Sequence, residues 1–311
     1  MIVRKKWGSP LWKLVACGLL VLLAASLTPQ PALAMVKTVA TKTGVNVQSN
    51  DKVSIDASNL EEGYLIIKYT GGKDVKIKAQ VAKKDGSAYT YDIDSKGNPE
   101  IIPITEGDGK YSIGVFENVS GTKYAQAYST TLDVKLRDQL LPFLYPNQYV
   151  NFTDKGEVAK KAEELATEAK KKADGREQFN VLSGIYDFVT KTLTYDTALA
   201  TSVQTGYLPN VEKVLAGKKG ICFDYAALMS SMLRLQGIPS KLVIGYAGTV
   251  YHAWINVYIE DDDTGWIEQA IVWDGKKWSL MDPTFVSTAN SKNAVKAFIG
   301  EGNEYNQKFV Y

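Results

Sequence analysis

The chain has 311 residues, with 36 basic and 34 acidic side chains, one histidine and two cysteines. A charge balance this close to neutral gives no footing for nucleic-acid binding or for a general anionic-surface role. The length is enough for two ordinary domains.

Residues 1–34 read as a secretory signal peptide. Arg4, Lys5, Lys6 and Lys13 form a basic start, Leu14 to Leu27 is apolar, and Ala32-Leu33-Ala34 is a small-residue cleavage site. The apolar run is short for a transmembrane helix, which needs about 20 residues. Leu14-Val15-Ala16-Cys17 resembles a lipoprotein cleavage box, but the apolar run continues beyond Cys17 instead of ending there. Membrane contact is therefore expected only through an uncleaved leader. Cleavage after Ala34 would leave 32 basic against 34 acidic residues, a net charge of −2. The expected location is secreted, or at the cell surface or envelope.

Residues 35–140 read as an all-β domain. Tyr64 to Tyr69, Val75 to Val81, Tyr89 to Ile93, Tyr111 to Phe116 and Tyr124 to Leu136 alternate polar with β-branched or aromatic residues. Gly71-Gly72, Asp85-Gly86, Gly97-Asn98-Pro99 and Gly107-Asp108-Gly109 supply the turns. About seven short strands in such a length fit a β-sandwich of immunoglobulin type. With neither cysteine nor histidine, this segment is expected to be a spacer or docking module that folds alone and is dispensable for chemistry.

Prolines at Leu141-Pro142 and Tyr145-Pro146-Asn147 mark the boundary of a second domain, 141–311. Glu157 to Ala173 predicts a helix with one solvated face and a basic end at Lys170-Lys171-Lys172. Leu182, Ile185, Tyr186, Val189 and Leu193 recur at helical spacing and predict an amphipathic helix. Phe223 to Leu235 reads as a buried helix with Cys222 at its start and Gly237 and Pro239 at its close. Four strands are then expected: Lys241 to Tyr246, His252 to Glu260, Trp266 to Trp273 and Lys277 to Asp282. Asp274-Gly275 would turn between the last two. A buried helix backed by an antiparallel sheet gives an α+β core.

Beyond the leader the chain holds one cysteine, Cys222, and one histidine, His252, with Asp282 a further thirty residues on. An unpaired thiol in an exported chain is either a buried structural cysteine or a reactive one, and the count alone leaves both open. A thiol at a helix start, facing amides with a partial positive charge, favours the thiolate. A histidine beside it would hold the proton and an acidic group would orient the imidazole. One cysteine and one histidine cannot furnish a four-ligand zinc site. Asp261-Asp262-Asp263-Thr264-Gly265 lacks the EF-hand layout and reads as a solvated hairpin loop. Phosphate-binding loops and dinucleotide fingerprints are absent, and no cofactor or metal is expected.

Four motifs then carry a resemblance. They are Gly220-Ile221-Cys222-Phe223-Asp224-Tyr225-Ala226, Leu233-Arg234-Leu235-Gln236-Gly237-Ile238-Pro239-Ser240, Tyr251-His252-Ala253-Trp254 and Met281-Asp282-Pro283-Thr284-Phe285. In order and spacing they resemble the transglutaminase-like superfamily over roughly residues 175 to 290. The resemblance implies a papain-like core with Cys222 as nucleophile, His252 as general acid–base and Asp282 as orienter. Asn256 stands where the family often has an acidic residue. Tyr195 reads as a core residue that alternatively lines the site. Trp254 is expected to pack beside the histidine, and Asp224 to cap or pair in the first helical turn.

Members of the superfamily include cross-linking enzymes, peptidases, amide hydrolases and inactive relatives. The expected function is a thiol enzyme acting on protein or peptide amide bonds through a thioester, by hydrolysis or acyl transfer. The alternative is a non-catalytic envelope protein that holds peptide on the same core. Expected partners are a protein or peptide substrate and a cell-wall or surface partner of the β domain.

Overall fold

The computed structural model describes residues 43–259, 265–267, 271–273, 278–289, 298–299 and 302–311. The leader, the Asp261 to Thr264 loop and the Asp274-Gly275 turn lie outside these residues. The protein is a mixed α+β chain in which a β-rich segment precedes a helix-and-sheet core.

Eight strands build the first segment: β1 (Val47–Ser49), β2 (Val53–Asp56), β3 (Tyr64–Tyr69), β4 (Ile77–Lys83), β5 (Ala88–Ile93), β6 (Glu100–Pro103), β7 (Gly109–Ser120) and β8 (Lys123–Val134). They form two antiparallel four-stranded sheets, ordered β1-β2-β3-β6 and β5-β4-β7-β8. The chain passes between the sheets after β3, β5 and β6. Side chains alternate between buried and exposed along β5, and Ile55, Ile67, Ala79, Ile113 and Val115 are fully buried. Each such isoleucine or valine side chain contributes about 1.5–3 kcal/mol. Glu117 on β7 ties the two sheets together. It accepts the Tyr69 hydroxyl of β3 at 2.8 Å and pairs with Lys73 at 2.6 Å and Lys52 at 3.2 Å. Strands β1, β2 and β6 escape the sequence pattern because they are only three or four residues long.

The core opens with α1 (Glu157–Lys170) and α2 (Glu177–Thr192). Val158, Ala159, Ala162, Ala166 and Ala169 give α1 a buried stripe at helical spacing, while its Glu/Lys face is exposed. Then follow β9 (Thr194–Tyr195), α3 (Thr197–Ser202), α4 (Val211–Gly217) and β10 (Lys219–Gly220), with β9 and β10 parallel. The sequence pattern does not reveal α3 and α4, which have six and seven residues. The central helix α5 (Cys222–Leu235) is buried almost all round, from Asp224 to Leu235. Gly237 takes the left-handed conformation (φ 72°), and the N–H groups of Gly237 and Ile238 bond back to Arg234 and Leu233. This is the Schellman closure of a helix.

Helix α5 packs on a sheet of four antiparallel strands, β11 (Ser240–Ala247), β12 (Val250–Val257), β15 (Ser279–Met281) and β16 (Tyr305–Val310), ordered β15-β12-β11-β16. Two expectations need correction. Trp266 to Trp273 is not one strand: Gly265–Ile267 (β13) and Ile271–Trp273 (β14) pair with each other, with Trp266 opposite Val272. The sheet's fourth member is instead β16, near the end of the chain. The last expected strand stops at Met281, and Asp282 begins a short helix, α6 (Pro283–Thr288).

The two segments share one hydrophobic cluster. Tyr89 and Tyr91 of β5 meet Tyr311, with ring centroids 5.7 and 6.1 Å apart, and Tyr149 stacks on Tyr311 at 3.7 Å. The Gln148 amide accepts the N–H of Asp92 and donates to its carbonyl. The expected self-sufficiency of the β segment therefore meets a contact made of large buried aromatics.

Candidate active site

Cys222 is the first residue of α5, partly buried and unpaired. Its position is fixed from both sides. Asp224 accepts the N–H of Ile221 at 2.8 Å, half of a capping box, and takes the Tyr207 hydroxyl at 2.7 Å. A Cβ on Gly220 would meet the Asp224 Cβ at 2.5 Å, so this close turn into the helix requires glycine. Burial raises the Asp224 carboxyl above its usual range, and it acts through the backbone cap rather than on the thiol.

His252 is the third residue of β12, opposite Gly245 of β11. A side chain at Gly245 would strike the Asn306 carbonyl at 2.1 Å and the Trp254 ring at 2.9 Å. Glycine there lets β16 close against the sheet. Trp254, on the same strand face as His252, lies nearly parallel to the imidazole at 6.4 Å and packs on Tyr305 at 5.0 Å.

Asp282 is 1% exposed and accepts three donors among the described residues. The N–H of Phe285 reaches Oδ1 at 2.9 Å, which makes Asp282 the cap of α6. His252 Nε2 and the Tyr305 hydroxyl both reach Oδ2 at 2.8 Å. With Nε2 engaged, Nδ1 is the imidazole nitrogen left for the side-chain hydrogen bond that His252 makes with Cys222. Burial works against a charged imidazole, but the bonds to Asp282 and Cys222 outweigh it and push His252 up to about 10. The imidazole is thus protonated through the neutral range. Cys222, His252 and Asp282 are brought together, in that order of contact.

Cys222 and His252 open into a cleft of about 610 Å³, with Asp282 buried behind them. Tyr195, Tyr207, Phe223 and Tyr251 line it, so Tyr195 is a half-buried lining residue. Burial, then the nearby Cys222, holds the Tyr195 phenol above its ordinary value. Thr90 and Asp92 of β5 complete one wall. The β segment, expected to be a spacer or docking module, borders the cleft that contains Cys222.

Arg234, from the second motif, is fully buried on α5. It donates to the Ser240 carbonyl from two nitrogens and to the Tyr145 and Tyr311 carbonyls, over 2.6–3.1 Å. That arginine ties the cysteine helix to the linker, to β11 and to the residue after β16. Among the described residues no group of three His, Cys, Asp or Glu side chains is placed to hold a metal, and no helix is long and apolar enough to cross a membrane.

A central helix with a cysteine at its start, backed by an antiparallel sheet carrying the histidine, defines the class. Residues 163–283 match the Transglutaminase-like superfamily model, and this segment is a transglutaminase-like core. Among solved structures, the chain is similar to a candidate cysteine protease from Cytophaga hutchinsonii (15% identity, 78% of this chain and 70% of that one, TM-score 0.34). It is also similar to the periplasmic domain of TgpA from Pseudomonas aeruginosa (15%, 80% and 78%, TM-score 0.32). A third similarity is to red sea bream transglutaminase, of which it spans about half (12%, 74% and 49%, TM-score 0.33). No curated protein matches the chain.

Sequence reasoning missed Tyr305, Tyr207 and the β5 wall. Tyr305 lies beyond the resembling segment and Tyr207 sits in a loop, and neither has a periodic or motif signal. Thr90 and Asp92 occupy the exposed positions of an alternating strand, which read as solvent-facing.

Proposed function

We propose that this chain is an exported thiol enzyme acting on amide bonds of proteins or peptides through Cys222, His252 and Asp282. The observation that carries the reading is the continuous contact from Cys222 to His252 to a buried Asp282 at an open cleft. His252 already holds the proton that the Cys222 thiol gives up, and the Cys222 sulfur attacks the carbonyl carbon. The backbone N–H of Cys222, at the helix start, donates to the oxygen as it gains charge. The C–N bond breaks, His252 gives its proton to the departing amine, and a thioester remains. Water or a second amine then attacks the thioester carbonyl, His252 accepts that proton, and the Cys222 sulfur departs. Hydrolysis and transfer share these steps and differ in what reaches the thioester.

The leader, residues 1–34, supports export to the surface, envelope or medium. Residues 35–140 are proposed as a sandwich of immunoglobulin type, supported by the β2-β3-β6 and β5-β4-β7-β8 strand orders. Residues 141–311 form the thiol-enzyme domain.

Alkylation of Cys222 by iodoacetamide at pH 6, followed by mass spectrometry, tests the reading. The native protein should react at least about tenfold faster than His252→Ala. Equal rates would remove the ion pair and the mechanism with it.

A further inference from the structure

The β5 wall of the cleft has a chemistry of its own. Among the described residues β5 is an edge strand, bonded to β4 alone, with Thr90 opposite Gln80 and Asp92 opposite Lys78. Alternation in an antiparallel pair turns the main-chain groups of Thr90 and Asp92 the same way. At Asp92 these groups meet the Gln148 amide, on the side away from β4. Gln148 blocks strand addition at that point and holds the edge in place. Recognition at Asp92 therefore falls to its carboxylate.

That carboxylate stands out in its setting. Among the described residues lining the cleft, Asp92 is the one Asp, Glu, Lys or Arg. The remaining walls carry several aromatic side chains, including Tyr149, Tyr207, Tyr251 and Phe223. Aromatic faces beside a carboxylate suit a cation that also carries an apolar stem, as lysine and arginine side chains do. Lys78 pairs with Asp92 Oδ1 at 2.5 Å, with side chains 32% and 49% exposed. A pair this exposed contributes little and leaves Oδ2 for an incoming cation. His252, the other charged group of the cleft, sits on the Cys222 side and disfavours a cation at the thiol itself.

We propose that β5 is the recognition wall of the Cys222 cleft, and that Asp92 selects polypeptide acyl donors carrying a lysine or arginine near the amide attacked. This rests on the reading of Cys222 as nucleophile and gives that site its substrate class. The β segment then contributes specificity to a reaction carried by the other segment.

The test uses three methanethiosulfonate reagents on the full chain: trimethylammonioethyl (cationic), methyl (neutral) and sulfonatoethyl (anionic). Rates at Cys222 are divided by those of a free thiol and by the neutral reagent in the same protein, in 10 mM salt. Asp92→Asn should lower the cationic-to-anionic ratio about three- to tenfold, and Asp92→Lys should lower it further. Both effects should shrink in 1 M salt. Identical ratios in the three proteins would overturn the proposal while leaving the mechanism standing, provided that His252→Ala still slows all three reagents. A Cys222 inert to every reagent would overturn the mechanism and this inference together.

Discussion

Tyr305→Phe removes one hydroxyl and keeps the ring that packs on Trp254. Among the described residues the lost O–H is one of two donors to Asp282 Oδ2; the other is His252 Nε2. Burial, then the Asp282 charge, holds the Tyr305 phenol far above its ordinary range, so it is a neutral donor at every working pH. A hydrogen bond to a charged group contributes about 1.5–3 kcal/mol, and partial exposure of Tyr305 puts the expected loss near the lower end, at about 1–2 kcal/mol. Without that donor the carboxylate relies more on the imidazolium, and the histidine should keep its proton to higher pH. About 1 kcal/mol of redistributed interaction moves its titration up by roughly 0.7 pH units. His252 is the only histidine, so one labelled resonance reports it in a magnetic-resonance titration. Native His252 should titrate far above the usual histidine range, Tyr305→Phe higher still, and Asp282→Asn lower. The sign for stability follows. A histidine raised from 6.5 to about 10 stabilises the fold fully below pH 6.5, and that contribution is lost as pH rises through 10. The loss is at most about 5 kcal/mol. Unchanged titration and unchanged denaturant midpoint in Tyr305→Phe would refute the argument.

Arg234→Lys should cost about 2–4 kcal/mol in urea unfolding, because an ammonium cannot serve three carbonyls set around a planar fork. Glu117 is held down to about 2, most strongly by Lys73, so its stabilisation is present above pH 4.5 and lost as pH falls towards 2. Lys73 is half exposed, and discounting for solvent leaves about 1–2 kcal/mol; acid-unfolding curves of the native protein and Glu117→Gln should converge near pH 2. A chain starting at Tyr145 loses Tyr89 and Tyr91 from Tyr149, Phe309 and Tyr311. It should be destabilised by about 3–5 kcal/mol and bind an apolar dye that the full chain does not bind. Equal stability and no dye binding would restore the independent β module expected from sequence.

What the sequence made legible was local. Gly237 closes α5 because only a left-handed residue ends a buried helix that way, and the α1 stripe followed from alanines at helical spacing. The strands β3, β5 and β8 were readable because they run for six residues or more rich in β-branched and aromatic side chains, with β5 alternating throughout. The failures were non-local or short. Trp266 to Trp273 has the composition of a single strand, and composition does not reveal that its two ends pair with each other. β16 was invisible because Asn306, Gln307 and Lys308 are polar, which befits an edge strand. Placing Tyr305 required knowing that β16 lies beside β11, a pairing across sixty residues of chain that no local pattern specifies.

The same non-local closure explains why the histidine's surroundings span so much of the chain. A strand can present His252, but it cannot also desolvate and fix the carboxylate that orients it. Asp282 gains its backbone donor by starting α6, and its hydroxyl donor from β16. Strand β16 comes close to β11 at Gly245, where the register shifts and no side chain stands in the way, and the residue after it is held by Arg234 of the cysteine helix and by stacking on Tyr149. Arg234 therefore stands between the helix that starts at Cys222 and the strand that steadies Asp282. A weakening at Arg234 should thus appear at His252 as well as in overall stability, although the two side chains make no contact. The second motif, which carries no reactive group, is in this sense part of the candidate site.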